Sequence, residues 1–323
     1  MKVKHYENFP VRPKVVFFGT PDFAVPSLKA LIEQAHDIRA VITQPDRPGG
    51  RGRKMLSSPV KRVAKENRFE VLQPDNLFSR QFYEKIRDIN PDILIVVAFG
   101  RILKKDLLEI PRFGALNIHA SLLPWYRGAA PIQRAILNNE VKTGLTAMRI
   151  NEGLDTGPIL LQEEISILED ETAGHLHDRL SGLSGDFILK TLKYLSENRV
   201  MEIPQDQGNT SYASKIDRGM ALIQWGQSAR DISALIRALD PRPGAVTNFE
   251  GKKIKLFSSS IKDGALLGLT PGRVSGLLGR SLCIETGKGS ILVGELQAPG
   301  KKRLHADEFL RGFTLKKGSV LGK

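Results

Sequence analysis

Residues 14–35 read KVVFFGTPDFAVPSLKALIEQA. The first six, KVVFFG, are a short apolar, β-prone run that stops at glycine. Thr20-Pro21-Asp22 supplies a turn, and from Phe23 onward apolar residues recur at helical spacing. The stretch therefore reads strand, turn, helix, and the same unit returns downstream. Residues 38–43 (IRAVIT) and 92–98 (DILIVVA) are continuous apolar runs of the kind a parallel sheet needs when both faces are covered. Helical patterns at 60–66 and 80–89 fall between them. Residues 115–119 (ALNIH) read as a further strand and 130–137 as the helix after it. This alternation predicts an α/β fold with an open, doubly wound, mostly parallel, Rossmann-like sheet. Such sheets bind ligands beyond the carboxyl ends of their strands.

The second half reads differently. A helical pattern runs from 173 to about 197, followed by the polar stretch PQDQGNTSYASK at 204–215. Residues 228–239 form an amphipathic helical pattern. Five short strand-like runs then follow: AVTNF, KIKLF, GRVSGLL, LCIET and SILVGEL, separated by glycines and charged turns. They predict a small OB-like β-barrel. The expected organisation is an N-terminal extension at 1–13, a first domain at 14–203, a linker at 204–215 and a basic barrel domain at 216–323.

Composition narrows the function classes. Cys283 is the only cysteine among 323 residues, so no internal disulfide framework exists, and six scattered histidines do not suggest a metal site. No apolar run reaches the length of a membrane span, and the opening MKVKHYENFPVRPK lacks the apolar core of a secretory signal. A cytoplasmic protein, with no membrane partner, is expected. The formal net charge is +13 and is unevenly spread. From Asn209 to Lys323 there are 19 Lys+Arg and 9 Asp+Glu, a net of +10, which leaves +3 for the rest. Such an excess fits either a solvated surface or a docking face for a polyanion such as nucleic acid. Its concentration in one module favours docking.

Three motifs carry candidate chemistry. Residues 114–131, GALNIHASLLPWYRGAAP, place Asn117 and His119 two apart on one strand, so their side chains share a face. A polar pair at the end of a buried strand is costly unless satisfied or used. Residues 151–158, NEGLDTGP, contain Asp155 in a turn-rich loop. Alone, His119 could be a core histidine and Asp155 an Asx-turn residue. Together the three give an amide to stabilise an oxyanion, an imidazole to move a proton and a carboxylate to fix its tautomer. No protein nucleophile is needed if the substrate brings one, as in acyl transfer to an amine. Residues 44–54, QPDRPGGRGRK, combine three glycines with Arg47, Arg51, Arg53 and Lys54. They read either as a solvated loop or as a clamp over phosphate. No Walker A or GxGxxG pattern is present.

These motifs resemble the methionyl-tRNA formyltransferases, within the folate-dependent formyltransferase family. The resemblance rests on FFGTPDFAVPSL, the PDRPGGRGRK loop, the run from VVAFGRILKK through NIHASLLPWYRGAAPIQRAI, and GLDTGPIL, and it extends over about residues 14–315. At 224–227 the chain has QWGQ where the family has Asp-Trp-Ser, a difference that touches only a local helix cap. The resemblance implies transfer of a formyl group from 10-formyltetrahydrofolate, as co-substrate and without a metal, to the α-amine of methionyl initiator tRNA. It implies that Asn117, His119 and Asp155 are catalytic and that Ser121, Leu122, Leu123 and Pro124 contact folate. It further implies that Arg51 meets the tRNA acceptor end and that the basic second domain binds tRNA. Within these frames, Arg47, Arg53, Lys54, Lys252, Lys253, Lys301, Lys302 and Arg303 are the candidate tRNA contacts, with Lys255 and Arg273 beside them, in a monomeric enzyme. The alternatives left open are a formyltransferase for a sugar nucleotide or glycinamide ribotide, a folate-dependent hydrolase, and a non-catalytic RNA-binding protein.

Overall fold

The computed structural model describes residues 6–49, 54–217, 219–262 and 270–322. In chain order the first part forms β1 (Lys14–Gly19), α1 (Val25–Glu33), β2 (Asp37–Ile42), β3 (Arg47–Gly49), β4 (Lys54–Leu56), α2 (Pro59–Glu66), β5 (Val71–Leu72), α3 (Arg80–Ile89), β6 (Ile93–Val97), α4 (Lys105–Leu108) and β7 (Ala115–His119). Then come β8 (Arg127–Gly128), α5 (Pro131–Leu137), β9 (Lys142–Arg149), β10 (Ile159–Ser166), α6 (Ala173–Ser196) and β11 (Tyr212–Ala213). The last part forms α7 (Ala229–Ala238), β12 (Ala245–Phe249), β13 (Lys252–Lys262), β14 (Val274–Leu278), β15 (Ser281–Glu285), β16 (Ser290–Gln297), β17 (Leu304–His305) and α8 (Ala306–Arg311).

The chain folds into two compact units, and neither is one continuous segment. The first is Met1–Ala129, Thr143–Ile165 and His177–Ala213; the second is Ala130–Lys142, Ser166–Leu176 and Ser214–Lys323. Helix α5 groups with the second unit because it packs on α7.

The first unit is built on a seven-stranded sheet in the order β10-β9-β7-β6-β1-β2-β5. The pairs β1–β2, β1–β6, β2–β5 and β6–β7 are parallel, and β9 joins β7 antiparallel. Continuous apolar runs make this possible: every residue of β6 and residues 15–19 of β1 are buried. On one face Val16, Phe18, Leu94 and Val96 pack with Phe82, Tyr83 and Ile86 of α3. The helices start where polar caps allow. The hydroxyls of Ser58 and Ser79 accept from the backbone amides of Lys61 and Phe82, and α3 stops at Asn90, whose φ of 49° is left-handed. In parallel register Gly19 lies beside Val97, and Val97 beside Ile118. The carboxyl ends of β1, β6 and β7 therefore share one edge.

Both ends of this unit are anchored. In the extension, the described residues begin at Tyr6. Tyr6 and Phe9 are 4 % and 5 % exposed and pack on Phe113, with ring centroids 6.3 and 4.8 Å away. The supposed linker 204–215 belongs to the first unit through Ala213. Gln205 and Ala213 are buried, and β11 pairs in parallel with β8. Most other residues of the stretch are exposed, so Gln205 and Ala213 anchor it in the unit.

The second unit carries an antiparallel sheet in the order β12-β13-β16-β15-β14, with β17 on β16. Its five main strands cover the runs expected from the sequence. The pairing of β13 with β16 keeps one register from Lys255 to Lys262 and is interrupted only at Ser258, whose φ is 50°. Leu256, Leu282, Ile284, Ile291 and Val293 form its core with Ile232 and Ile236 of α7 and Phe309 of α8. Cys283 is buried in β15.

Candidate active site

The polar pair on β7 sits at the shared carboxyl edge. Asn117 is half-buried, and His119 is 7 % exposed and lies across from Thr146 of β9. His119 Nε2 is 2.9 Å from the carbonyl oxygen of Tyr126. A carbonyl only accepts, so Nε2 carries the proton and Nδ1 is the nitrogen free to exchange one. Nδ1 points at Asp155, 3.6 Å from its Oδ2. That is longer than a formed hydrogen bond, a gap that substrate binding can close. The same Oδ2 accepts from the backbone N–H of Gly128 at 2.9 Å. Among the described residues the Asn117 amide has no hydrogen-bond partner. An unspent amide beside an imidazole–carboxylate pair is what an incoming oxyanion requires. The structure thus brings Asp155 to His119, with Asn117 two residues before His119 on the same strand.

Asp155 reaches the pair because its loop doubles back. Its φ is 51°, left-handed for a non-glycine residue. Two residues on, a Cβ at Gly157 would collide with the carbonyl of Arg149, so only glycine lets the loop close onto the end of β9. Gly128 has φ 119° and faces Ala213 of β11, where a Cβ would come within 2.9 Å of the carbonyl oxygen.

The segment after β7 is held by Thr146. Its hydroxyl donates to the Ser121 carbonyl at 2.6 Å and accepts from Leu123 N–H and Gln162 Nε2. Gln162 also donates to the Leu123 carbonyl at 2.8 Å. Ser121 is fully buried and its hydroxyl donates to the Trp125 carbonyl, while Leu123 is 2 % exposed. Both side chains build the turn. Leu122 and Pro124 are half-buried and Trp125 is 48 % exposed, so these are the side chains free to meet a ligand.

Comparison with known proteins places this arrangement. The formyl transferase family profile matches residues 13–192, and the profile of the formyl transferase C-terminal domain matches residues 215–314. A methionyl-tRNA formyltransferase from Pelotomaculum thermopropionicum is 46 % identical over 96 % of this chain and 99 % of its own length. The chain belongs to the methionyl-tRNA formyltransferase family. Among solved structures, an N-formyltransferase from Helicobacter canadensis in complex with folinic acid and dTDP-3-aminofucose matches with TM-score 0.67 and 23 % identity, covering 88 % of this chain and 99 % of that one. HypX from Aquifex aeolicus in complex with tetrahydrofolic acid matches with TM-score 0.64 and 17 % identity, covering 93 % of this chain and 47 % of that one. These two share the fold.

The basic residues expected to meet tRNA in a formyltransferase of this family fall into three groups. Lys252, Lys253, Arg273, Lys301 and Lys302 are exposed on the second unit. Arg47 is exposed at the foot of the β3–β4 hairpin and donates to Gln44 Oε1 at 2.6 Å; Arg51 and Arg53 lie outside the described residues, and of Lys54 the backbone alone is described, in β4. Two others are committed within the fold. Arg303 lies over the Phe257 ring and donates to both carboxylate oxygens of Asp240, to Glu295 and to Ser258 Oγ. Its charge is matched by the carboxylates of Asp240 and Glu295. Lys255 donates to the Pro243 carbonyl at 2.7 Å.

Sequence reasoning missed the residues that hold the site: Thr146, Gln162, Arg127 and Gln205. Thr146, Arg127 and Gln205 are buried and Gln162 is exposed, and each is bonded to partners distant in the chain. Among the described residues no helix is long and apolar enough to cross a membrane.

Proposed function

We propose that this formyltransferase moves the formyl group of 10-formyltetrahydrofolate to the α-amine of methionine carried by initiator tRNA, in the cytoplasm. The observation that carries this reading is that the match to a named methionyl-tRNA formyltransferase runs through both compact units, the basic second unit included. The positive charge of that unit suits a polyanionic acceptor.

The site chemistry supports the same reaction. The amine nitrogen bonds to the formyl carbon, the bond from that carbon to the folate nitrogen breaks, and one proton passes from the amine to the departing nitrogen. The unpartnered Asn117 amide donates to the formyl oxygen as it gains charge, which is worth about 10²–10³ in rate. His119 handles the proton through Nδ1, and Asp155 steadies the charged imidazole. The turn at 121–124 contacts folate with Leu122 and Pro124 at its free face. Arg47, Arg51, Arg53 and Lys54 hold the acceptor end, and the lysine pairs 252–253 and 301–302 hold the tRNA backbone through salt-screened phosphate contacts. The experiment is formyl transfer to methionyl initiator tRNA against methionyl elongator tRNA. Strong preference for the initiator supports the reading, and equal use of both removes initiator recognition from it.

A further inference from the structure

We propose that Gln205, oriented by the buried guanidinium of Arg127, is a positioning residue that holds Asp155 against His119; this rests on the reading of Asp155 as part of the active site. Arg127 is 1 % exposed and heads the largest fully buried side chains of the described protein. Its partners are amide oxygens, not carboxylates. Nε and Nη2 donate to Gln205 Oε1 at 2.9 and 2.7 Å, and Nη1 donates to Gln207 Oε1 at 3.0 Å. Burying a cation on neutral partners is costly, and an apolar side chain would fill the space more cheaply. Its retention points to work that the charge does.

That work is orientation. Two guanidinium N–H groups grip one oxygen, so the Gln205 amide can face only one way. Its Nε2 then points at the Asp155 loop and donates to the carbonyls of Asp155 and Gly157, at 2.9 and 2.7 Å. A flipped amide would set its oxygen against two carbonyls and its NH₂ against the guanidinium. Asp155 needs such a hold, because its left-handed backbone is disfavoured for a non-glycine residue and persists only when its surroundings impose it. The grip comes from both ends. Gly128 N–H binds the side-chain carboxylate, and its neighbour Arg127 fixes the glutamine that binds the main-chain carbonyl. One dipeptide, Arg127-Gly128, thus sets where the Asp155 carboxylate stands.

The test compares Gln205→Glu in the full chain with the wild type, by single-turnover formyl transfer at pH 8 and by thermal unfolding. Glutamate is chosen over alanine because it leaves Arg127 a partner and preserves the fold, yet ionised it has no N–H to donate. The expected result is a fall in kcat of about 10–100-fold, with KM for the formyl donor changed less than about threefold and Tm maintained. In an Asp155→Asn background the same substitution should change kcat by less than about threefold, since the group it positions is already gone. Wild-type kcat in Gln205→Glu, or an equal fall in both backgrounds, overturns the proposal. Wild-type kcat in Asp155→Asn alone overturns the assignment of Asp155 instead.

Discussion

Replacing Asp155 by asparagine removes a charge and little else. The amide oxygen of asparagine can still accept from Gly128 N–H, which in the wild type meets Oδ2 at 2.9 Å. The fold should therefore survive with Tm within a few degrees of wild type. What is lost is the attraction between the carboxylate and the positive charge that His119 carries as it handles the proton. At the observed 3.6 Å, and with an effective dielectric of about 20, that attraction is about 5 kcal/mol. The side chains are 7 % and 16 % exposed, so solvent reaches one side of the pair, and about 3 kcal/mol is a fair net figure. At about 1.4 kcal/mol per decade this amounts to roughly a hundredfold in rate. The assay is rapid-quench single turnover with saturating methionyl-tRNA and formyl donor, which separates chemistry from binding. A rate within threefold of wild type, or a change confined to KM, would refute the role assigned to the carboxylate.

Asn117→Ala should lower kcat by about 10²–10³ and barely move Tm, because the amide has no partner to lose in the resting protein; a large Tm drop would mark it as structural instead. Burial holds the Tyr6 phenol well above its ordinary value of 10.0, so the folded state favours its neutral form. That contribution is fully present below pH 10 and is lost as pH rises toward the folded value, so wild type should lose more stability between pH 9 and 11 than Tyr6→Phe in urea titrations. Parallel curves would contradict it. Charge reversal of Lys252 and Lys253, or of Lys301 and Lys302, should raise KM for tRNA at low salt and reduce the salt slope by about one per lost phosphate contact, leaving kcat at saturating tRNA unchanged. An unchanged slope would remove the pair from the interface.

The central strands could be read from the chain because burial on both faces forces continuous apolar runs, as in β6. Strands β9 and β10 escaped because only part of each is apolar. The alternation in β10 reflects a strand buried on one face, and Gly144 interrupts β9. Asn117 and His119 stood out because strand periodicity puts them on one face, and Asp155 because glycines flank its turn. The residues that hold them were hidden by sequence distance. Arg127 and Gln205 are 78 positions apart, and nothing local to either marks it as buried. The 204–215 stretch looks like a linker because most of it is exposed, and the one buried amide, Gln205, is satisfied by partners 50 and 78 positions away. The ion pairing of Arg303 was hidden by distance as well. The residue sits in a lysine-rich run, but Asp240, which neutralises it, is 63 residues away.

The account stands most directly on a competition for the formyl group. The full chain, given 10-formyltetrahydrofolate with equal concentrations of methionyl initiator tRNA and an amino-sugar nucleotide, should deliver formyl almost wholly to the tRNA. That preference should shrink as salt is raised, because it depends on phosphate contacts. Formyl transfer to the sugar nucleotide in preference to the tRNA, or formate release with neither acceptor modified, would contradict it.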